Sequence, residues 1–380
     1  MFITGDRIHD GNRFLPEGCA LEYSDDGTIL GIHQNFSGYS KHYPGIISPG
    51  FINAHCHLEL SHLKGLIPKH TGLIPFLLKI ITGRQSYTEE DKRVARHHAY
   101  NELYNNGVVA VGDIGNTTDT LDVRALDKMH IHTFVEVLGF NEEAAQQSFD
   151  FYAKVYEAYS QQETKDKVLR QSATPHAPYS VSKKLFEIIS DFDKRSILSV
   201  HNQECKAEND YYFDKKGEMR TLIDTLNIDD SSFNPSGKSS LQTYTEWVDS
   251  THPVLFIHNT LTSKEDIRTA LLRFPHCYFC LCPNANLYIE NSLPDVRLLM
   301  SEQATICVGT DSLSSNDELS ILSELLTLKD RFDLDWEVLL QWACINGAKA
   351  LQLDGVAGSF ETGKQPGIIQ IYQDRVERIV

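Results

Sequence analysis

Long apolar runs are missing from this 380-residue chain: no stretch of about eighteen or more apolar residues occurs, so nothing in it reads as a membrane span. Basic residues are scarce. Thirty-five Lys and Arg face 52 Asp and Glu, for a formal net charge of −17. Nucleic acid is thereby excluded as a partner, because neutralising phosphates takes clustered Lys and Arg. The opening "MFITGDRIHDGNRF" lacks a basic segment followed by an apolar one, so no signal peptide is expected and the cytoplasm is the expected location. The eight cysteines are scattered, and Cys277 and Cys280 form a C-x-x-C with no second copy to complete a structural zinc site. They read as reduced, buried small hydrophobes. Alternation along "CYFCLC" would send Cys280 and Cys282 to one face and Cys277 to the other. There is also no internal repeat and no low-complexity tract.

What is present, at 41% hydrophobic residues, is enough for a large core. Residues 1 to about 47 read as short strands broken by turn residues, and "GSFETGKQPGIIQIYQDRVERIV" has the same character. Both ends look like parts of one small β-sandwich or sheet. Between them, strand-like runs alternate with helical stretches, starting at "FINAH" and ending at "TICVGTDS", eight times in all. That count suggests an α/β fold of the (β/α)8 TIM-barrel type with a parallel inner sheet. An open doubly wound sheet has the same local pattern. The expected division is residues 1–48 with 355–380 for the β unit and 49–354 for the barrel, with 208–247 a loop excursion over its mouth.

Polar residues cluster at the C-terminal ends of the strand-like runs. In "SPGFINAHCHLELSHLKG", His55 and His57 end an apolar run, and side chains two apart on a strand share a face. Two convergent imidazoles suit a transition metal. His176 ends the fourth run and His201 the fifth, with Glu204 three residues on; His258 ends the sixth, Asn284 the seventh and Asp311 the eighth. In a (β/α)8 barrel these positions meet at one face, where active sites sit. The coincidence of register, rather than any one histidine, points to a metal centre.

The pieces "PGFINAHCH", "TPHAPYS", "HNQE", "FIHNT", "CPNAN" and "VGTDS" resemble the amidohydrolase superfamily, in particular its mononuclear deaminase and chlorohydrolase branch. The resemblance covers nearly the whole chain. It implies a metal-dependent hydrolase with His55, His57, His201 and Asp311 as metal ligands, and Glu204, His258 and Asp311 as the catalytic groups. Binuclear relatives carry a lysine at the end of the fourth strand; here that strand ends "TPHAP", so one divalent metal is expected, zinc first and iron(II) second. Such a metal lowers the pKa of bound water toward ~7, and Glu204 can protonate a ring nitrogen of the substrate. Two departures from the branch's pattern, Asn202 with Gln203 and the "SSND" stretch holding Asn316 and Asp317, bear on specificity more than on the metal.

For the small-molecule substrate, Glu59 and His62 lie just beyond the first metal ligands, and His176 and Ser180 stand opposite; with Asn316 they complete the expected substrate contacts. These stretches are similar to deaminases of 6-amino-6-deoxyfutalosine, an adenine nucleoside of menaquinone biosynthesis, and "PHAPYSVS" also to deaminases of S-adenosylhomocysteine and methylthioadenosine. Guanine deamination, chlorohydrolysis or cyclic amide opening on the same fold, and least of all a non-catalytic scaffold, are the alternatives. A homodimer is compatible with the sequence.

Overall fold

A computed structural model describes all 380 residues. Four strands open the chain: β1 (Phe2–Ile8), β2 (Ala20–Tyr23), β3 (Ile29–His33) and β4 (Lys41–Pro49). Eight follow with helices between them: β5 (Phe51–Cys56), β6 (Val108–Gly115), β7 (His130–Val137), β8 (Leu169–Pro175), β9 (Leu198–Asn202), β10 (Val254–His258), β11 (Cys277–Leu281) and β12 (Ile306–Val308). Two more, β13 (Ile368–Tyr372) and β14 (Arg375–Arg378), close it.

The two ends meet. β13 pairs antiparallel with β4, Ile369 opposite Ser48, in a six-stranded sheet of order β14-β13-β4-β1-β2-β3. Ile3, Leu21, Ile29, Ile47 and Ile368 bury one small core there, separate from the main one. β4 runs almost directly into β5, and only Gly50 intervenes. A Cβ at Gly50 would stand 2.2 Å from Val109 Cγ1, so no larger residue fits this junction without movement.

β5 to β8 form one parallel four-stranded sheet and β9 to β12 another. Polar contacts join the sheets at both edges. On one side the Thr174 hydroxyl donates to Ser199 O and accepts from Ser199 N, and His201 N donates to His176 O at 2.9 Å. On the other, Thr310 N and Asp311 N both donate to His55 O at 3.1 Å. Buried on both faces, these strands read as near-continuous apolar runs, as parallel strands do. β6 and β7 are buried at every position.

The helices follow from local signals. Thr88 caps Glu89–Asn105 and Asp91 returns the bond to the Thr88 N–H, a capping box. Leu73–Gly83 packs Leu73, Ile74, Phe76 and Ile80 inward. All eight cysteines are buried without a disulfide. Cys277 faces the main core, whereas Cys280 and Cys282 face the inner one, following the strand alternation.

The 208–247 segment differs from the loop expected of it. It forms short helices over Lys206–Asp214, Met219–Thr225 and Ser240–Tyr244. Each spans too few turns for helical periodicity to stand out in sequence. Burial of Tyr211, Tyr212, Met219, Leu222 and Ile223 holds them, and Phe233 stacks on Tyr211 with ring centroids 4.9 Å apart. No helix of the chain is long and apolar enough to cross a membrane.

Candidate active site

The strand ends bring four of the expected residues to one point. His57 Nε2 lies 3.2 Å from His55 Nε2 and 3.3 Å from His201 Nε2. Asp311 Oδ1 lies 3.6 Å from His55 Nε2 and 3.4 Å from His57 Nε2. A tetrahedron of ligands about 2.05 Å from a zinc ion has edges of about 3.3 Å. Three imidazole nitrogens facing one another without a cation would set lone pair against lone pair. The donor set and its spacing therefore fit a divalent metal.

Local structure explains the convergence. Gly309 lets the chain after β12 approach β5: a Cβ there would sit 2.7 Å from His55 O and 2.8 Å from His55 N. Asp311 adopts φ 57°, and Ser315 Oγ holds its second oxygen at 2.5 Å. His201 Nδ1 faces His176 O at 3.0 Å, which fixes the tautomer and leaves Nε2 free for a metal. Gln203, His258 and Asn259 also take positive φ (47°, 71° and 58°), a conformation costly for residues with a Cβ and common at functional sites.

Beside this cluster, Glu204 and His258 are almost fully buried, with His258 Nε2 3.7 Å from Glu204 Oε1. Burial pushes the Glu204 carboxyl up to about 8, with nearby Asp311 adding to the shift and His201 opposing it. Burial pushes the His258 imidazole down to about 3, so it is neutral at pH 7. Burial alone would raise the Asp311 carboxyl, but His55, His57 and His258 together hold it far below the usual carboxylate range.

A cavity of about 480 Å³ opens over the cluster. His57, His176, His201, Glu204, His258 and Asp311 form its polar floor. Its far half is apolar: Leu73, Phe76, Leu77, Ile80 and Ile81 from helix 73–83 face Leu222, Leu226 and Ile228 of the 208–247 segment. Arg84 stands at the rim, the one Lys or Arg in the lining.

The expected substrate contacts divide. His176 and Ser180 line the cavity and bond each other, Nδ1 to Oγ at 2.6 Å. Glu59 and Asn316 do not line it. Glu59 lies in the 3-10 turn Leu58–Leu63, where Arg84 Nη2 donates to Oε1 at 2.7 Å and Asn116 N to Oε2 at 3.2 Å. Asn316 turns inward, its amide bonded to Thr310 O at 2.9 Å and Glu324 Oε1 at 2.8 Å. His62 packs against Tyr87, ring centroids 5.1 Å apart, and is likewise outside the lining. Asn284 sits in the first turn of helix Pro283–Glu290, its N–H on Glu324. Sequence reasoning missed Glu136, a buried cavity residue of β7 whose one signal is a lone charge inside the apolar run "HTFVEVLGF".

A model of the amidohydrolase family matches residues 46–376. The aminodeoxyfutalosine deaminase of Nitratiruptor sp. is 27% identical over 283 residues, 74% of this chain and 66% of that one. The 5-methylthioadenosine/S-adenosylhomocysteine deaminase of Teredinibacter turnerae is 26% identical over 377 residues, 94% of this chain and 80% of that one. In fold, the chain is similar to the crystal structure of Helicobacter pylori aminofutalosine deaminase in complex with methylthio-coformycin, with a TM-score of 0.81, 22% identity and 100% of both chains covered.

Proposed function

We propose, from the premise that this chain belongs to the amidohydrolase family, that it is a metal-dependent hydrolytic deaminase of an adenine nucleoside. The observation that carries the reading is the convergence on His57 Nε2 of the Nε2 atoms of His55 and His201 and one Asp311 carboxylate oxygen, at 3.2–3.4 Å, with Glu204 and His258 beside them. On this reading the two parallel sheets are one closed eight-stranded barrel over residues 49–354, and the terminal strands form a second domain from 1–48 and 355–380. The polar contacts at both sheet edges support closure.

His55, His57, His201 and Asp311 would hold one divalent cation, zinc before iron(II), since imidazole and carboxylate suit both. Bound there, the cation supplies an activated water as nucleophile near neutral pH. The chain's own groups do the rest. Glu204, with a pKa close to neutrality, hands a proton to a ring nitrogen of the base and then, as a carboxylate, takes one from the hydroxyl added at C6 and passes it to the departing ammonia. His258, neutral, hydrogen-bonds the oxygen that adds to C6. Asp311, ionised beforehand, would take one proton from the attacking water, the proton that later restores Glu204. His176 and Ser180 meet the substrate on the opposite wall.

Among nucleosides, 6-amino-6-deoxyfutalosine is favoured. Its 5′ side ends in an aromatic acid, which suits an apolar half-cavity with Arg84 at the rim. The second reading, methylthioadenosine or S-adenosylhomocysteine, draws on the same apolar half. The test is ammonia release over a panel of 6-amino-6-deoxyfutalosine, methylthioadenosine, S-adenosylhomocysteine, adenosine, adenine, guanine and a halogenated triazine. Adenine nucleosides should exceed free adenine by a factor on the order of 10⁴, because a site built to pair polar groups rejects a ligand lacking them. Guanine or the triazine turning over far faster than every nucleoside would overturn the assignment.

A further inference from the structure

Two buried carboxylates near the cavity, Glu59 and Glu136, differ in what they bond. Glu59 is saturated by Arg84 and the Asn116 N–H. Glu136 lines the cavity, is 3% exposed, and accepts no well-directed hydrogen bond from any protein donor. Its closest neighbour with a proton to give is His201 Nδ1, 3.2 Å from Oε1, and that nitrogen is already directed at His176 O at 3.0 Å. A buried carboxylate with unfilled acceptor positions costs free energy unless something else fills them. β7 is buried along its whole length, so the cavity is the one opening left to the Glu136 carboxylate.

Its position defines what can reach it. Glu136 lies one imidazole ring, that of His201, away from the point where the Nε2 atoms converge, and it lines the cavity. A purine with C6 at the cluster carries its glycosidic nitrogen on the other ring, so its sugar lies within the cavity that Glu136 lines. A carboxylate has two oxygens and only accepts; a vicinal diol has two hydroxyls that can donate in parallel.

Resting on the nucleoside reading above, we propose that Glu136 is the specificity-determining residue for the sugar, its two oxygens accepting from the 2′- and 3′-hydroxyls of the ribose, and that Glu59 acts only by holding Arg84. The discrimination between ribose and its dideoxy form is then located in one side chain that is not a metal ligand.

The experiment compares kcat/KM for adenosine and 2′,3′-dideoxyadenosine, and for methylthioadenosine and its 2′,3′-dideoxy analogue, in the wild type, Glu136→Gln and Glu59→Gln, with zinc content measured on each protein. The wild type should prefer the ribose form by roughly 10²-fold or more. Glu136→Gln should cut that preference at least tenfold while zinc content holds, and Glu59→Gln should leave the preference in place. If Glu136→Gln slows both members of a pair equally, with or without loss of zinc, the carboxylate serves only to orient His201 and the proposal falls. It falls too if the wild type does not distinguish the pair. Should the wild type deaminate no nucleoside at all, the functional reading itself fails, a result distinct from turnover without discrimination.

Discussion

The floor and the roof of the cavity are built on different principles. Every group on the floor comes from the end of a β-strand or the residues just after it, so backbone pairing between strands sets the spacing of the side chains. The roof comes from helix 73–83 and the short helices of the 208–247 segment, held to each other by apolar contacts. A floor of this kind tolerates no shift: moving one strand by a residue would turn its side chains to the other face. The roof can change residue by residue at modest cost. On the proposed reading the rigid part carries the chemistry and the contact to the sugar, and the adaptable part reads the substituent beyond it.

Removing the floor's centre should have the largest effect. His201→Ala should lose metal and turnover together, with metal analysis near zero and activity at background. The same protein should melt lower than the wild type, because a ligand bound only by the native state stabilises by mass action. About one metal per chain is expected in the wild type; two equivalents, or full activity with none, would sink the mononuclear arrangement.

Next comes Glu204→Gln, which keeps shape and metal but cannot carry a proton. Turnover should fall roughly 10²–10⁴-fold with unchanged metal content. Near-normal turnover would remove Glu204 from the chemistry. Gly309→Ala tests the same floor through the backbone: its Cβ would press on His55, so both metal occupancy and stability should drop, by about 1–3 kcal/mol for overpacking.

Roof substitutions should be milder and selective. Ile228→Ser trims the apolar half and should raise KM for a nucleoside with a large 5′ substituent by about 10-fold, with a smaller effect on adenosine. Equal changes for both would mean that the far half does not read the substituent.

The smallest effect joins the two regions. Glu208 lies in the first turn of helix Lys206–Asp214 and accepts from Ser240 Oγ and, at 2.9 Å, from Gln203 N. Burial pushes its carboxyl up to about 7, from an ordinary value of 4.5. The folded state therefore holds the proton more tightly than the unfolded one. Its stability contribution is full below pH 4.5 and is lost as pH rises through 7, at most about 1.4 kcal/mol per pH unit. Glu208→Gln should flatten the melting temperature between pH 5 and 8, and an unchanged slope would show that another group titrates there.

The same contrast decides what could be read from sequence. That the side chains of His55, His57, His201 and His258 come together is legible in the sequence because strand alternation dictates side-chain direction, and that of Asp311 because it follows a strand by a short, fixed distance. Glu59 and Asn316, expected at the substrate, lie outside the cavity lining because their directions depend on a 3-10 turn and on Glu324, neither of which has a period. Glu136 was hidden by the rule that an apolar run is a core strand: the exception sits in its middle. The 208–247 helices were hidden by shortness, since stacking of Tyr211 on Phe233 and burial of Leu222 hold them more than local propensity does.

The pairing of β13 with β4 has a consequence for biosynthesis. β4 leads through Gly50 straight into the strand that carries His55, and although β1 covers one of its edges, the partner of the other edge is made more than 300 residues later. While the ribosome is still translating, β4 presents an open hydrogen-bonding edge to whatever is nearby. Such edges are where nascent chains go astray. The catalytic floor is therefore anchored at its first strand only once residues 368–372 have left the exit tunnel, and a chain stalled earlier is a substrate for chaperones before it is an enzyme.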